Sequence, residues 1–230
     1  FSTGFKYFIN TRSTANEPDV ITLHDGQGKL VKTLKDNAKL RDKLKEYGLT
    51  RKEFIRIPVG ADTLNAWIIK PPQFDSRQQY PVFMTQYSGP NSNEVVDQWE
   101  GRNLLWHELL AQKGYIIVCA DPRGTGRRGH AFRHITYGQL GKYETEDQIA
   151  VAKWLGTQPW VDKARIGIQG WSYGGYMSSL CITKGFATFK AAIAVAPVTN
   201  WRFYDSIYTE RYMGLPQDNP TGYDDNSPIN

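Results

Sequence analysis

Cysteine is scarce: Cys119 and Cys181 are the only two in 230 residues, and each sits inside an apolar run. A disulfide scaffold is excluded, and both read as buried free thiols. Long apolar stretches are missing as well. The longest, YIIVCA and AAIAVAPV, have strand length, well short of the ~18 residues a membrane-spanning helix needs. Charge of one sign is nearly cancelled, with 28 Lys and Arg against 23 Asp and Glu leaving +5, which argues against a nucleic-acid-binding surface. Histidine is scarce too: His24, His107, His130 and His134 are all there are. The amino terminus, FSTGFKYFIN, has no basic or apolar leader region, so any targeting signal is expected outside this sequence. Aromatic residues, in contrast, are plentiful. The 7 Trp, 13 Tyr and 10 Phe supply more buriable surface than a disordered chain carries.

Residues 5 to 37 read as short strands: FKYFINT alternates, and DVITLHDGQGKLVKTL forms two apolar runs around a Gly-containing turn, a hairpin signal. This all-β piece (1–37) could be one unit of a longer repeat. Next, NAKLRDKLKEYGL predicts a connector helix within 38–50, stopped by Gly48. From residue 53 two strands surround a GAD turn, and strands then alternate with helices. Helices are predicted over 95–114, 144–158 and 173–185, between strands YPVFMTQY, YIIVCAD, RIGIQG and FKAAIAVAPV. Continuous apolar runs mark strands covered on both faces, so a parallel sheet with helices on both sides is expected.

Between RIGIQ and the third helix lies Gly170-Trp171-Ser172-Tyr173-Gly174, followed by Gly175. This is G-x-S-x-G in its required setting of strand, sharp turn and helix. The glycines give room to a turn too tight for a Cβ, and the next backbone N–H points where an oxyanion would form, at the positive end of a helix. Without that setting the motif is commonplace.

A nucleophilic serine needs a histidine to take its proton and a carboxylate to orient that histidine, and on such a sheet both follow the serine. No histidine follows Ser172. Either the site is degenerate or the chain is a fragment; a sheet that stops shortly after the elbow helix favours the fragment, which by itself is expected to be inactive.

The string GWSYGGYMS, with YSGPNS at 87–92, DPRGTGRRG at 121–129 and APVTNWRFYDSIYTERYMGLP at 196–216, resembles the prolyl oligopeptidase family of serine peptidases, in its dipeptidyl peptidase branch. The resemblance implies an α/β-hydrolase domain at 38–230, incomplete at its C-terminal end, preceded by the end of a β-propeller at 1–37. It implies Ser172 as nucleophile, with the Tyr87 hydroxyl and the Tyr173 backbone N–H as oxyanion hole. The residues alone leave Tyr87 an ordinary strand-end aromatic. Val198, Trp201, Tyr204 and Tyr208 match residues that, with Tyr173, line the family's proline pocket; proline offers CH2 groups and no N–H, which suits an aromatic box. Core packing is the other reading of that cluster, above all for Trp201. No cofactor and no metal are expected. The implied substrates are peptides with a free amino terminus and a penultimate Pro or Ala, the implied assembly a homodimer, and the implied setting extracytoplasmic. Alternatives are an endopeptidase or acylaminoacyl peptidase of the same family, or a non-catalytic binding protein on this fold.

Four other features carry less. Gly124-Thr125-Gly126-Arg127-Arg128-Gly129 follows a strand and Glu144 lies twenty residues on, but no helix is expected to open at these glycines, as a dinucleotide site requires. Arg123, Arg127, Arg128 and Arg133 read as a solvated or ion-paired loop rather than a phosphate or nucleic-acid patch. His130 and His134 have zinc-helix spacing without the glutamate base. The acidic start of the following helix, Glu144, Glu146 and Asp147, reads as complement to the helix dipole.

Overall fold

The structure is a computed structural model that describes residues 1–230. Two sheets organise it. The first is a meander of β1 (Tyr7–Thr14), β2 (Glu17–Asp25) and β3 (Leu30–Lys35), antiparallel throughout. Its second turn forms because Asp25 Oδ1 accepts the backbone N–H groups of Gln27 and Lys29, an Asx-type turn. The helix α1 (Ala38–Glu46) then leads to the second sheet.

That sheet is built from β4 (Glu53–Val59), β5 (Asp62–Ile69), β6 (Tyr80–Thr85), β7 (Ile116–Asp121), β8 (Val161–Trp171) and β9 (Ala191–Val195), in the order β4-β5-β7-β6-β8-β9. The helices α2 (Arg102–Gln112), α3 (His130–His134), α4 (Lys142–Leu155), α5 (Tyr173–Lys184), α6 (Ser206–Met213) and α7 (Pro220–Asp224) complete the chain. None is long and apolar enough to cross a membrane. Strands β7, β6, β8 and β9 run parallel. These are the strands expected to run parallel; at the other end β4 pairs with β5 and β5 with β7 antiparallel. Only two residues, Gly60 and Ala61, join β4 to β5, and so short a link permits only an antiparallel pair.

Helices cover both faces. One face of the sheet packs with Val151, Leu155, Tyr176, Met177 and Leu180 of α4 and α5 into the main core, whereas Leu104 and Ala111 of α2 close a smaller cluster with Trp67, Ile117 and Cys119 on the other. All six residues of β7 are buried, as its unbroken apolar run requires. Each fully buried aliphatic side chain contributes about 1.5–3 kcal/mol. At the sheet's border β9 leaves Ala191, Ala194 and Ile193 exposed.

The helix predicted over 95–114 begins only at Arg102. Gly101 has φ 57 and ψ −120, which no helix accommodates, and the residues before it serve other contacts. Asp97 Oδ1 accepts the Ala15 N–H at 2.7 Å, and Ser13 Oγ accepts the Trp99 N–H. Both tie the meander to the larger sheet. Glu100 receives the ammonium of Lys52 at 2.6 Å, and that lysine, with no exposed side-chain surface, lies 4.1 Å above the Trp67 ring.

His107, on α2, is enclosed beside this pair, its ring 5.3 Å from that of Trp67. Burial, then the Lys52 charge, lowers its pKa from 6.5 to about 4. The unfolded chain therefore takes up this proton at higher pH than the folded one, so stability falls as pH drops from about 6.5 towards 4. Urea unfolding should show this as a difference between the unsubstituted protein and His107→Gln. The loss of stability from about pH 7.5 to about pH 3.5 should be smaller in the variant by about 3 kcal/mol; equal losses would remove His107 as the cause.

Candidate active site

Strand β8 ends at Trp171 and α5 opens at Tyr173, so Ser172 alone makes the corner, with φ 59 and ψ −113. A side chain held at positive φ stores about 1–3 kcal/mol and persists only where its surroundings fix it. Here the Ser172 N–H donates to Val195 O at 2.8 Å, and its carbonyl accepts the Tyr176 N–H at 3.0 Å. Three glycines make the corner possible. A Cβ on Gly170 would strike the Gly174 backbone and the Gln86 amide, one on Gly174 the Gln86 carbonyl, and one on Gly175 the Val195 carbonyl. The Ser172 hydroxyl caps nothing in α5, which leaves it free at the positive end of a helix.

The chain turns sharply as it leaves β6. Ser88 has φ 64, and the Gln86 amide beneath it donates to Gly174 O at 2.8 Å and Ser178 Oγ at 3.2 Å. Gln86 Oε1 accepts the Ser88 hydroxyl, and Gln148 on α4 donates to Ser88 Oγ and to Ala120 O. This buried amide network joins the ends of β6 and β7 to α4 and α5. It was not anticipated from the sequence, where two glutamines at opposite ends of long segments carry no motif.

Tyr87 stands on that turn. Its ring lies over Gly89, where a Cβ would collide with it, and 6.0 Å from the Tyr173 ring. Burial first, then the neighbouring Tyr204 phenol, raises its pKa, so the hydroxyl stays a donor at neutral pH. Tyr173, the first residue of α5, has an N–H with no partner inside the helix. Its side chain is 2% exposed, and its hydroxyl donates to Glu144 Oε1 at 2.6 Å.

Around these residues the structure gathers an aromatic cluster. Trp201 sits at its centre, 5.5 Å from Tyr173, 5.2 Å from Tyr176, 5.7 Å from Tyr204 and 5.8 Å from Tyr208. At 2% exposure Trp201 belongs to the main core, and its indole N–H has no partner. Val198 and Tyr208 are half-buried against the same core, while Tyr204 is 44% exposed. Helix α6, not foreseen from the sequence, carries Tyr208 on its first turn. Asp205 caps it by accepting the Tyr208 N–H at 2.8 Å, a signal legible in DSIYTERYMG.

Of the basic loop's arginines Arg123 is ion-paired, gripping Asp147 through Nε at 3.0 Å and Nη2 at 2.6 Å, while Arg128 donates to Thr63 O. No helix opens at Gly124, whose φ of +96 places it against Thr136. Glu144 does complement the start of α4, in whose first turn it lies, but it and Asp147 are also fully buried and carry further bonds. Asp147 holds Arg123, and Glu144 bonds Tyr173 and the Gly141 N–H.

Comparison with known proteins gives this geometry its context. The prolyl oligopeptidase family model matches residues 105–230. Over 230 residues the chain is 41% identical to the probable dipeptidyl-aminopeptidase B of Phaeosphaeria nodorum, covering 99% of this chain and 25% of that protein. It is 43% identical over 199 residues to the prolyl endopeptidase FAP of Bos taurus, covering 86% of this chain and 26% of that protein. The crystal structure of Porphyromonas gingivalis dipeptidyl peptidase 4 superposes with a TM-score of 0.95 at 51% identity, over 100% of this chain and 32% of that one. The chain thus spans about a quarter of the length of the curated relatives it matches, and its larger sheet with its helices is an α/β-hydrolase-type region. With the family model matching more than half of its residues, the chain belongs to the prolyl oligopeptidase family.

Proposed function

We propose that Ser172 is the nucleophile of a serine peptidase that releases amino-terminal Xaa-Pro or Xaa-Ala dipeptides. The observation that carries the reading is the strained corner at Ser172, whose hydroxyl serves no structural hydrogen bond in α5. In this reading Ser172 Oγ attacks the carbonyl after the second residue and its proton passes to a base. The oxyanion takes hydrogen bonds from the Tyr87 hydroxyl and the Tyr173 N–H. The C–N bond then breaks, the leaving amine receives the proton, and water releases the dipeptide from the acyl-enzyme. Val198, Tyr204 and Tyr208 hold the proline ring or the alanine methyl group, backed by the buried rings of Tyr173 and Trp201.

His107 is no candidate for the base, because it is buried beside Lys52 on the α2 face of the sheet. The base and its orienting carboxylate are assigned to sequence outside residues 1–230. The meander at 1–37 is read as the end of a β-propeller, 38–230 as the catalytic domain, and the working assembly as a homodimer. The names of the relatives support the dipeptidyl reading. The bovine relative, named an endopeptidase, favours a second one, cleavage within the chain after proline. Ala-Pro and acetyl-Ala-Pro chromogenic amides separate the two on the full-length protein. The dipeptidyl reading expects the free amine to be required; equal hydrolysis of the acetylated amide would replace it with the endopeptidase reading.

A further inference from the structure

Glu144 is a carboxylate enclosed on every side. It has no exposed surface and no cationic partner. The charged group facing it from its own helix is Asp147, itself bound to Arg123; from α5 the facing groups are the phenols of Tyr173 and Tyr176, and from α6 that of Tyr208. Burial works against its ionised form and raises its pKa from 4.5 to about 7. What it does with its two oxygens is specific. Oε2 accepts the Gly141 N–H at 3.0 Å, which fixes the start of α4, and Oε1 accepts the Tyr173 hydroxyl at 2.6 Å. Tyr176 strengthens the junction by donating to a carbonyl of the Leu140 and Asn226 pair that faces its hydroxyl.

Tyr173 connects this bond to the reacting centre in two ways. Its backbone N–H adjoins Ser172, and its ring packs against Tyr87, 6.0 Å away, and Trp201, 5.5 Å away. Both groups assigned to the oxyanion therefore rest on one residue, and that residue is tethered through its phenol to α4. We propose that Glu144 is a positioning residue for the oxyanion hole: its bond to Tyr173 sets where the Tyr173 N–H and the Tyr87 hydroxyl point. The inference rests on the reading of Ser172 as nucleophile.

The experiment uses the full-length protein and the variants Glu144→Gln, Tyr173→Phe and the pair. Glutamine keeps the shape and one acceptor oxygen, but presents an N–H2 to the other donor. Tyr173→Phe removes the phenol and leaves Glu144 its Gly141 bond, so it serves even where the first variant folds poorly. Each single variant should lower kcat for an Ala-Pro amide by ~10-fold with little change in KM, since misplaced oxyanion donors act on the transition state alone. Binding of an Ala-Pro boronic acid, which forms a tetrahedral adduct on serine, should weaken by a similar factor, and inhibition by the product dipeptide should not change. The double variant should be no slower than either single one, because both break one bond. Unchanged kcat in Glu144→Gln, equal weakening of boronate and dipeptide, or additive losses would each overturn the inference. Failure of a fluorophosphonate to label Ser172 in the unsubstituted protein would instead remove the nucleophile reading, and this inference with it, before any variant is measured.

Discussion

Alanine at position 172 should silence the full-length protein, with turnover of an Xaa-Pro amide falling roughly a million-fold, as when a serine nucleophile is deleted elsewhere. Fluorophosphonate labelling should vanish with it. The fold should survive, because the hydroxyl caps nothing in α5 and the corner is held by backbone bonds to Val195 and Tyr176. Ser172→Gly sharpens the test. It is equally inactive, yet its melting temperature should rise, since glycine adopts φ 59 without strain. A corner that melts lower with glycine would show that the serine is not strained, and a Ser172→Ala protein that still takes up the fluorophosphonate would show that another residue is the nucleophile.

Gly174→Ala should be nearly as damaging by another route. Within a helix, alanine is favoured over glycine by about 1 kcal/mol. Here the new Cβ would meet the Gln86 carbonyl and approach Tyr87 Cα to 3.2 Å, both of them backbone at the end of β6. Neither can move without breaking the Gln86 bonds to Gly174 and Ser178. Overpacking against backbone costs more than the propensity gained, and a net loss of about 4 kcal/mol is expected. Gly167→Ala on β8 is the control, because its Cβ would meet Ala191 O at an ordinary 3.4 Å. Denaturant midpoints should separate the two; similar midpoints would mean that the corner adapts more readily than its geometry implies.

What could be read from the sequence was local. The strand, serine and helix at 161–184 were legible because glycine spacing and an apolar run specify them within a dozen residues. Strand β7 was legible because burial on both faces leaves a continuous apolar run; β9 shows a similar run yet lies at the border with residues exposed, which the pattern alone did not reveal. The antiparallel pairing of β5 with β7 was not legible, since it depends on which strand β5 finds as partner, and that partner is some fifty residues away. Helix α2 began late because a long-range bond from Ala15 occupies Asp97. The same limit hid the most informative polar groups. Glu144 was legible as a helix-start acid but its bond to Tyr173 was not, because twenty-nine residues separate the two, and Gln86 meets Gln148 only through Ser88. Among the aromatic residues, the family resemblance implied a cluster, but which ring lies deep and which faces outward follows from the path of the chain into α6.

The border of the larger sheet has a further consequence. Strand β9 pairs on one side only, with β8, and shows small apolar side chains and Ile193 to solvent. Its free amide and carbonyl groups form a template onto which an extended segment can zip in register. Residues 1–230 prepared alone would thus be prone to self-association along this seam, and handling them in isolation calls for dilute solutions.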